Sequence, residues 1–261
     1  MHLSGSGDGA YKPRRVGRQA NWTLHGPAAI GSQAMTSGGS SAVPGRPGTF
    51  YVRYAKRVLD LLFAAGGLVV ALPLLAVCGV VIRLESEGPM FFRQWRVGKD
   101  GRPFQIIKLR TMVDKADQSG LKLTARGDPR ITKVGRWLRN LKLDELPQLL
   151  NVLRGEMSLV GPRPEVPEYV AHYDGHQRKV LDFRPGVTGP ASLAFVGEES
   201  LLAGHTGKED FYVKTLMVRK LNLDLAYCQR VSLLEDFRLI VLTLRSVLSF
   251  GQSGGSREDV S

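Results

Sequence analysis

The sequence predicts an α+β domain that is mostly helical and associated with a membrane. Three observations predict this class. Between Leu61 and Ile82 the chain runs 22 residues without a charged side chain. Residues 89–112 place apolar side chains on both sides of a Gly/Pro turn, which indicates a small β-hairpin. Residues 134–142 and 233–250 carry apolar side chains at helical spacing, which predicts amphipathic surface helices.

The uncharged run is long enough to reach the hydrocarbon of a membrane. A helix of this length would extend about 33 Å, and the apolar layer of a bilayer is about 30 Å thick. Pro73 lies near the middle of the run. Because proline removes a backbone donor and clashes with the carbonyl four residues earlier, we expect two half-helices that form a re-entrant hairpin over residues 52–84. The alternatives are one straight spanning helix that tolerates Pro73, and a buried core helix.

Positive charge indicates the kind of partner. The net charge of +12 and the pI of about 10.0 point to nucleic acid, anionic lipid headgroups or a phosphorylated substrate. Basic residues flank the uncharged run on both sides, which is typical of a segment whose two ends are cytoplasmic. Membrane attachment favours the lipid and the phosphorylated substrate. The two cysteines, Cys78 and Cys228, provide no disulfide framework and indicate a reducing cytosolic compartment.

Composition divides the chain into four segments. Residues 1–50 are basic and rich in Gly, Ser and Pro, so we expect a disordered arm. The membrane-inserted segment follows at 52–84, and a cytoplasmic folded domain occupies 85–250. Residues 251–261 are polar and predict a second disordered tail.

Two helices have two interpretations each. Val134, Trp137, Leu138 and Leu141 recur at helical spacing between lysines and arginines, which predicts an amphipathic basic helix. Trp137 at its edge suits the membrane interface, although a surface helix packed on the core fits the same pattern. The terminal helix, Leu233–Phe250, is likewise either part of the core or interfacial.

The candidate chemistry begins at two adjacent carboxylates, Asp144 and Glu145. Asp144 fits a helix N-cap, with Pro147 in the first turn and the helix end at Gly155. The pair would then lie at the positive end of a helix dipole, where free backbone donors also favour a phosphate. Ordinary capping explains an acidic pair at this position without any catalysis.

Two Gly/Pro turns carry one arginine each. Gly161–Pro164 holds Arg163 between two prolines, whose fixed φ angles shape the loop in advance for bidentate binding of phosphate. The alternative is a surface loop whose arginine pairs with a carboxylate. Arg184 opens the second turn, Arg184–Pro190. Together the two turns predict an anion site.

These segments together resemble the bacterial sugar transferases, the monotopic polyprenyl-phosphate phosphoglycosyl transferases, in their small form. The resemblance extends over roughly residues 52–250 and rests on the joint order of several motifs. They are Lys56-Arg57 with Asp60, the Pro73-interrupted apolar run, Phe104–Met112, Leu143–Leu153, Gly155–Pro164 and Arg184–Gly189.

The resemblance implies transfer of a sugar 1-phosphate from a nucleotide diphosphate sugar, usually a UDP-sugar, to undecaprenyl phosphate. This reaction would initiate the assembly of exopolysaccharide, capsule, O-antigen or another glycan. The resemblance implies that Asp144 is the catalytic nucleophile and forms a covalent phosphosugar intermediate, with Glu145 as the accompanying carboxylate. The side chains that would bind substrate phosphate are Arg163, Lys108, Arg139 and Arg184.

The resemblance also implies a cofactor and a location. Mg²⁺ would be held by Asp144 and Glu145 together with substrate phosphates, because hard oxygen ligands suit this ion. The protein would lie at the cytoplasmic face of the bacterial inner membrane, with Pro73 at the bend of its membrane hairpin and inner-membrane lipids as partners. No nucleic acid partner is expected, and a homo-oligomer is left open.

Two departures from the family pattern concern the bend and the donor. Leu72 stands where members often carry Ser, so no hydroxyl supports the bend, and Pro190–Glu199 differs from the Trp-Ala-Gln-Val-Asn-Gly-Arg that often follows the glycine. The identity of the donor sugar therefore stays open. A rival interpretation is a non-catalytic, membrane-tethered basic adaptor that binds anionic lipid or nucleic acid, which would need neither Asp144 nor Mg²⁺.

Overall fold

A computed structural model of the protein describes residues 50–114, 116, 123–125 and 127–253. The predicted arm at 1–50 and the predicted tail at 251–261 fall outside these ranges, except for residue 50 and residues 251–253, which are helical.

Helices dominate the described residues and the strands are few and short, which confirms the predicted mostly helical α+β class. The helices are α1 (Lys56–Glu85), α2 (Lys133–Asn140), α3 (Gln148–Arg154), α4 (Pro167–Val170), α5 (Pro190–Ala194), α6 (Glu198–Ala203), α7 (Lys208–Phe211), α8 (Met217–Cys228) and α9 (Leu233–Ser253). The strands are β1 (Phe91–Val97), β2 (Pro103–Leu109), β3 (Ser158–Val160) and β4 (Gly186–Thr188).

The apolar run forms one continuous helix. A π-helical turn, Tyr51–Ala55, leads into α1, which continues through Pro73 to Glu85. Among the described residues this is the helix long and apolar enough to cross a membrane. Only 28% of its most apolar window is buried, which argues against the core-helix alternative. The re-entrant hairpin at Pro73 stays a prediction.

One face of α1 packs against the rest of the domain. Apart from Gly79, its buried residues recur three, four or seven positions apart: Asp60, Ala64, Ala71, Leu75, Cys78 and Ile82. The first half of this stripe contacts Val152 and Met157, and the second half contacts Leu109 and Leu138. The remaining surface of α1 exposes large apolar side chains: Leu62, Phe63, Val69, Val70, Val77, Val80 and Leu84. One face of the helix therefore packs on the domain, and the other faces expose apolar side chains.

Polar side chains fix both ends of α1. Near its start, the Asp60 carboxylate accepts a hydrogen bond from the Leu159 backbone amide at 3.0 Å. At its end, the buried guanidinium of Arg110 donates to the Ser86 carbonyl oxygen at 2.6 Å. Arg110 thereby pairs a backbone acceptor that the helix terminus leaves free.

β1 and β2 form the predicted hairpin. They are antiparallel, with Phe91 opposite Leu109 and Val97 opposite Pro103. A short 3₁₀ turn at Lys99–Gly101 joins them, as the Gly/Pro pattern predicted. The inner positions of β2 are buried in the cores that also receive α1, so the hairpin is held against that helix.

The second sheet brings the two Gly/Pro segments together. β3 and β4 are parallel, and beyond them the Gly161 amide donates to Thr188 O at 3.0 Å while the Gly186 amide donates to Pro162 O at 2.8 Å. A Cβ atom at Gly161 would lie 2.5 Å from the Arg184 carbonyl oxygen. Glycine permits this approach because it has no side chain.

Asn151 on α3 joins that helix to the hairpin. Its side chain is fully buried, and its Oδ1 accepts a hydrogen bond from the Ile107 amide at 3.1 Å. Its Nδ2 donates to the Gln105 carbonyl and to the Glu156 carboxylate, both at 2.7 Å. These bonds fix the distance between α3 and β2, and with it the position of the residues that precede α3.

The start of α3 differs from the prediction. Asp144 is not an N-cap, because Leu143–Glu145 form a separate 3₁₀ turn and α3 begins at Gln148 without a side-chain cap. An N-cap at Asp144 would place Pro147 third in the helix, where a capping oxygen needs an N–H that proline lacks. The predicted end is confirmed, because Gly155 caps the helix with a φ of 87°.

We expect Asn151→Ala to lower the free energy of unfolding by about 2 kcal/mol, since it leaves the buried Ile107 amide without an acceptor. Chemical unfolding of the detergent-solubilised protein measures this change. Asn222→Ala, at an exposed position of α8, is the matched control and should change it by less than about 0.5 kcal/mol. Equal losses in the two variants would contradict the role of Asn151.

Candidate active site

The two carboxylates lie in the 3₁₀ turn just before α3 and differ in their partners. Glu145 Oε1 accepts a hydrogen bond from Lys108 Nζ at 2.8 Å and forms an ion pair with Arg163 Nη2 at 3.3 Å. Asp144 is 7% exposed, and within the described chain no hydrogen bond or ion pair reaches its carboxylate. The structure thus brings two of the side chains expected to bind phosphate, Lys108 and Arg163, to the acidic pair, and among the described residues it leaves Asp144 without a hydrogen bond or ion pair.

Burial and neighbouring cations set the two acids apart. Burial pushes the pKa of Glu145 upward, but Lys108 and Arg163 outweigh it and hold that pKa well below its usual range. Burial raises the pKa of Asp144, and Lys108 opposes this only in part. Burial also lowers the pKa of Lys108, against the attraction of Glu145. Glu145 is therefore ionised, whereas the ionised form of Asp144 is less stabilised by its surroundings.

Arg139 lies on the edge of this cluster. Its positive charge acts to lower the pKa of Asp144, but its hydrogen bonds go to Thr111 Oγ1 at 2.9 Å and to the Glu199 carboxylate at 2.7 Å. Glu199 belongs to Pro190–Glu199, the segment in which the sequence departs from the family pattern. That segment therefore reaches a side chain that was predicted to bind substrate phosphate.

Arg184 lies at the other end of α3. Its Nε donates to the carbonyl oxygen of Gly155, the C-terminal cap of the helix, at 3.1 Å. The structure therefore does not bring Arg184 to the acidic pair, from which α3 separates it by about 10 Å. Its arginine charge is favourable there because the last carbonyls of a helix form the negative end of its dipole. Pro73, on α1, contributes no side chain to the cluster.

The loop that carries Arg163 is held by side chains that the sequence analysis did not single out. Asp224 Oδ2 accepts the Arg163 backbone amide at 3.1 Å, and Asp224 Oδ1 accepts the Ala191 amide at 3.3 Å. Arg96 donates to the Pro164 carbonyl at 3.0 Å. Asp224 is 61 residues from Arg163 along the chain, and no local pattern marks it.

Glu165, the next residue of that loop, anchors it in the core. Its carboxylate accepts a hydrogen bond from the Tyr212 hydroxyl and lies 3.8 Å from Lys220 Nζ. Lys220, in turn, forms an ion pair with Glu198 at 2.9 Å. A buried charge needs such partners, and here they stop the Arg163 loop from moving independently of α8.

Gln148 adds a donor beside the acidic pair. It is the first residue of α3 and is 2% exposed, and its Nε2 has no hydrogen-bond partner in the part of the chain that the structure describes. A buried amide without a partner is costly and calls for an acceptor. The oxygen of a substrate phosphate would be such an acceptor.

The acidic pair fits one hard cation rather than a closed metal site. The described residues contain no group of three or more His, Cys, Asp or Glu side chains placed to hold a metal. Asp144 and Glu145 nevertheless supply carboxylate oxygens at one place, and those of Asp144 have no hydrogen-bond or ion-pair partner among the described residues. Mg²⁺ is commonly bound by one or two carboxylates with substrate phosphates and water completing its ligands.

Both a family model and individual known proteins match this chain. A family model described as bacterial sugar transferase matches residues 51–250. The chain is 42% identical over 219 residues to the UDP-glucose:undecaprenyl-phosphate glucose-1-phosphate transferase of Caulobacter vibrioides, which covers 78% of this chain and 75% of that one.

Two further relatives are longer proteins. The chain is 36% identical over 201 residues to the UDP-N-acetylgalactosamine-undecaprenyl-phosphate N-acetylgalactosaminephosphotransferase of Aeromonas hydrophila, covering 75% of this chain and 44% of that one. It is 35% identical over 198 residues to the UDP-glucose:undecaprenyl-phosphate glucose-1-phosphate transferase of Escherichia coli, covering 74% and 40%. The chain thus spans three quarters of the Caulobacter relative and less than half of these two.

Asp224 should make stability depend on pH. Burial raises its pKa to about 7, against the two backbone amides that favour its charge. The folded state therefore keeps the proton between the ordinary aspartate pKa of about 4 and a pH of about 7, and this contribution to stability is lost as the pH rises through that window. Asp224→Asn, which does not titrate, should become more stable relative to the unmodified protein as the pH rises from about 4 to about 7. A stability difference that stays constant across this window in chemical unfolding would contradict the assignment.

Proposed function

The chain belongs to the bacterial sugar transferase family, and on that premise we propose that it transfers a sugar 1-phosphate from a UDP-sugar to undecaprenyl phosphate, with Asp144 as the nucleophile. The observation that carries the role of Asp144 is its position: it is a buried carboxylate without a partner in the described part of the chain, next to an acid that two cations already neutralise. The products are a polyprenyl diphosphosugar, which initiates polysaccharide assembly, and UMP.

The reaction proceeds in two displacements at the same phosphorus atom. A carboxylate oxygen of Asp144 attacks the β-phosphorus of the UDP-sugar, and the bond from that phosphorus to the bridging oxygen breaks, so UMP leaves with the bond's electron pair. An oxygen of undecaprenyl phosphate then attacks the phosphorus of the phosphosugar and releases the Asp144 carboxylate. Each step forms one P–O bond and breaks one, so no oxidant or net proton is required.

The basic side chains hold the charge that the phosphates bring. Arg163 is 31% exposed at its side chain and lies 3.3 Å from Glu145, so part of its guanidinium faces outward toward an incoming phosphate. Lys108 and Glu145 hold each other at 2.8 Å and keep the turn that carries Asp144 in place. The unpartnered Nε2 of Gln148 supplies a neutral donor. Such prepositioned donors stabilise the transition state because they need no rearrangement when charge develops.

We assign Mg²⁺ to the acidic pair, with Asp144 and Glu145 as the residues that would hold it. When bound, the ion would neutralise charge on the phosphates of the donor. Glu145 suits this role because its low pKa keeps it ionised. Lys108 and Arg163 both contact its Oε1 rather than its Oε2.

The exposed apolar surfaces support a position at the cytoplasmic face of the inner membrane. The outer side of α1 is apolar, Trp137 on α2 is 53% exposed, and Leu234 on α9 is 78% exposed. A domain that lies on the surface with α1 inserted could meet a soluble UDP-sugar and the phosphate of a lipid acceptor without crossing the membrane. A re-entrant α1 bent at Pro73 is the form of this proposal that keeps both ends of the helix on one side.

Asp144→Asn tests the nucleophile. We expect UMP release from UDP-glucose or UDP-N-acetylgalactosamine, with undecaprenyl phosphate and Mg²⁺ present, to fall by at least about 10³-fold, because an amide does not form the covalent intermediate. Mass spectrometry of the unmodified protein, mixed with donor but no acceptor, should detect the phosphosugar adduct. Asp210→Asn, at an exposed site paired with Lys214, is the matched control and should retain activity.

The same assay separates the transferase from the adaptor. Lipid-dependent UMP release supports the transferase. If the folded protein binds anionic vesicles but releases no nucleotide with any UDP-sugar, and Asp144→Asn binds them equally well, the adaptor is the better interpretation.

Lys108→Met should move the acid limb of the pH profile. Burial raises the pKa of Asp144 and Lys108 lowers it, so removing the lysine raises that pKa further. Because the nucleophile must be ionised, kcat/KM of the variant should begin to fall at a higher pH than in the unmodified protein. Lys133→Met, at an exposed position on α2, should leave the limb where it was. An acid limb that is the same in Lys108→Met would show that Asp144 does not control it.

A further inference from the structure

A basic cavity of about 310 Å³ lies at the start of α1. None of Asp144, Glu145, Lys108 or Arg163 lines it, so it is distinct from the candidate active site. Its walls come from the first turns of α1, the hairpin turn, β3, the loop before β4, and α8. Five of the lining side chains are cations: Arg53, Lys56, Arg57, Lys99 and Arg184.

Two of these cations have structural partners. Lys56 forms an ion pair with Asp236 of α9. Arg57 donates to the Val152 carbonyl oxygen at 2.7 Å, at the C-terminal end of α3. These contacts explain why Lys56 and Arg57 lie here without requiring a ligand.

Of the other three cations, Arg53 is exposed and its guanidinium lies 5.4 Å from the centre of the Tyr54 ring, whereas Lys99 and Arg184 have no acidic partner among the described residues. Within the described chain, the Lys99 amine makes no hydrogen bond or ion pair, and Arg184 uses only its Nε, toward the Gly155 carbonyl. The Nη1 and Nη2 groups of Arg184 therefore have N–H donors that no described residue accepts. Lys99 is half-buried, and its side chain lines the cavity.

The two acids of the cavity do not balance this charge. Asp60 is committed to the Leu159 amide at 3.0 Å, and Asp182 is exposed. Neither forms an ion pair with any of the five lining cations in the part of the chain that the structure describes. The lining cations outnumber the lining acids five to two, and cations in excess in a partly enclosed space attract an anion. A tetrahedral phosphate has enough acceptors for several N–H groups at once.

We propose that this cavity is a second anion site, which binds a phosphate group through Lys99 and Arg184. Its volume is at the lower end of the range of about 300–1,000 Å³ typical of ligand pockets, which suits a phosphate ester rather than a complete nucleotide sugar. Tyr54, in the π-helical turn, and Val58, in the first turn of α1, are both more than half exposed, and each directly follows a lining cation in the sequence. A phosphate from a lipid headgroup or from solution would satisfy the same donors.

Binding measurements with the full chain test the proposal. The protein carries Asp144→Asn, so no turnover occurs, and it is titrated at low ionic strength with inorganic phosphate and with glycerol 3-phosphate by equilibrium dialysis. In parallel, its flotation with phosphatidylglycerol vesicles is compared with its flotation with phosphatidylcholine vesicles. Each measurement is repeated with Lys99→Gln, with Asp182→Asn, and with Lys179→Gln, an exposed lysine outside the cavity that serves as the charge-matched control.

The two cavity variants should act in opposite directions. Lys99→Gln removes a cation from the wall and should weaken binding about tenfold, whereas Asp182→Asn removes an acid and should strengthen it. Lys179→Gln should behave like the parent. Changes in binding of both soluble phosphates identify a site for free phosphate, and changes confined to phosphatidylglycerol vesicles identify a lipid headgroup.

The proposal is overturned if Lys99→Gln and Asp182→Asn bind every probe as the parent does, or if Lys179→Gln weakens binding as much as Lys99→Gln. Because Asp182→Asn predicts a gain, a folding defect in one variant does not imitate the full result. The test measures no turnover, so its failure would leave the proposed transferase activity untouched.

Discussion

The site depends on one carboxylate oxygen, Oε1 of Glu145, which binds both Lys108 and Arg163. Lys108 comes from β2 and Arg163 from the loop after β3, so this oxygen fastens the hairpin to that loop at the turn before α3. The side chains of Glu145, Lys108 and Arg163 are only partly exposed, so removing the carboxylate would leave two partly buried cations close together, which costs more than losing a fully exposed ion pair. Glu145 is committed to this role, whereas Asp144, its neighbour in the same turn, makes no hydrogen bond or ion pair with the described residues.

A second constraint comes from α1, because one face of this helix packs on the domain while its other faces expose large apolar side chains. Its buried stripe keeps one side-chain position in about four for contacts with α3, β2 and α2, and the rest of its surface stays apolar. This explains why the run lacks charge without being an ordinary core helix. It also means that the domain packs along the helix itself and is not joined to it by a linker, so the acidic pair keeps a fixed position relative to α1.

Local patterns in the sequence predicted what local physics determines. The hairpin follows from its apolar positions and turn, α1 from the absence of charge, and the end of α3 from Gly155. The predicted start of α3 was wrong because the N-cap pattern does not take account of the missing N–H of Pro147. Asn151 and Asp224 were missed because their partners lie 44 and 61 residues away, and an isolated Asn or Asp gives no sign of which distant amides it will accept. The resemblance identified Lys108 and Arg163 as candidate site residues, but it did not indicate at which end of α3 Arg184 lies.

α3 explains why the arginines divide as they do. The helix has only seven residues, with the acidic pair before its positive end and Arg57 and Arg184 on the carbonyls of its negative end. An arginine that caps those carbonyls gains from the dipole, and it would lose that gain if it moved to the acids. The cations around α3 are therefore divided between its two ends. Lys108 and Arg163 pair with Glu145 before the helix, whereas Arg57 and Arg184 lie at the other end, where carbonyl dipoles attract arginines but do not cancel their charge.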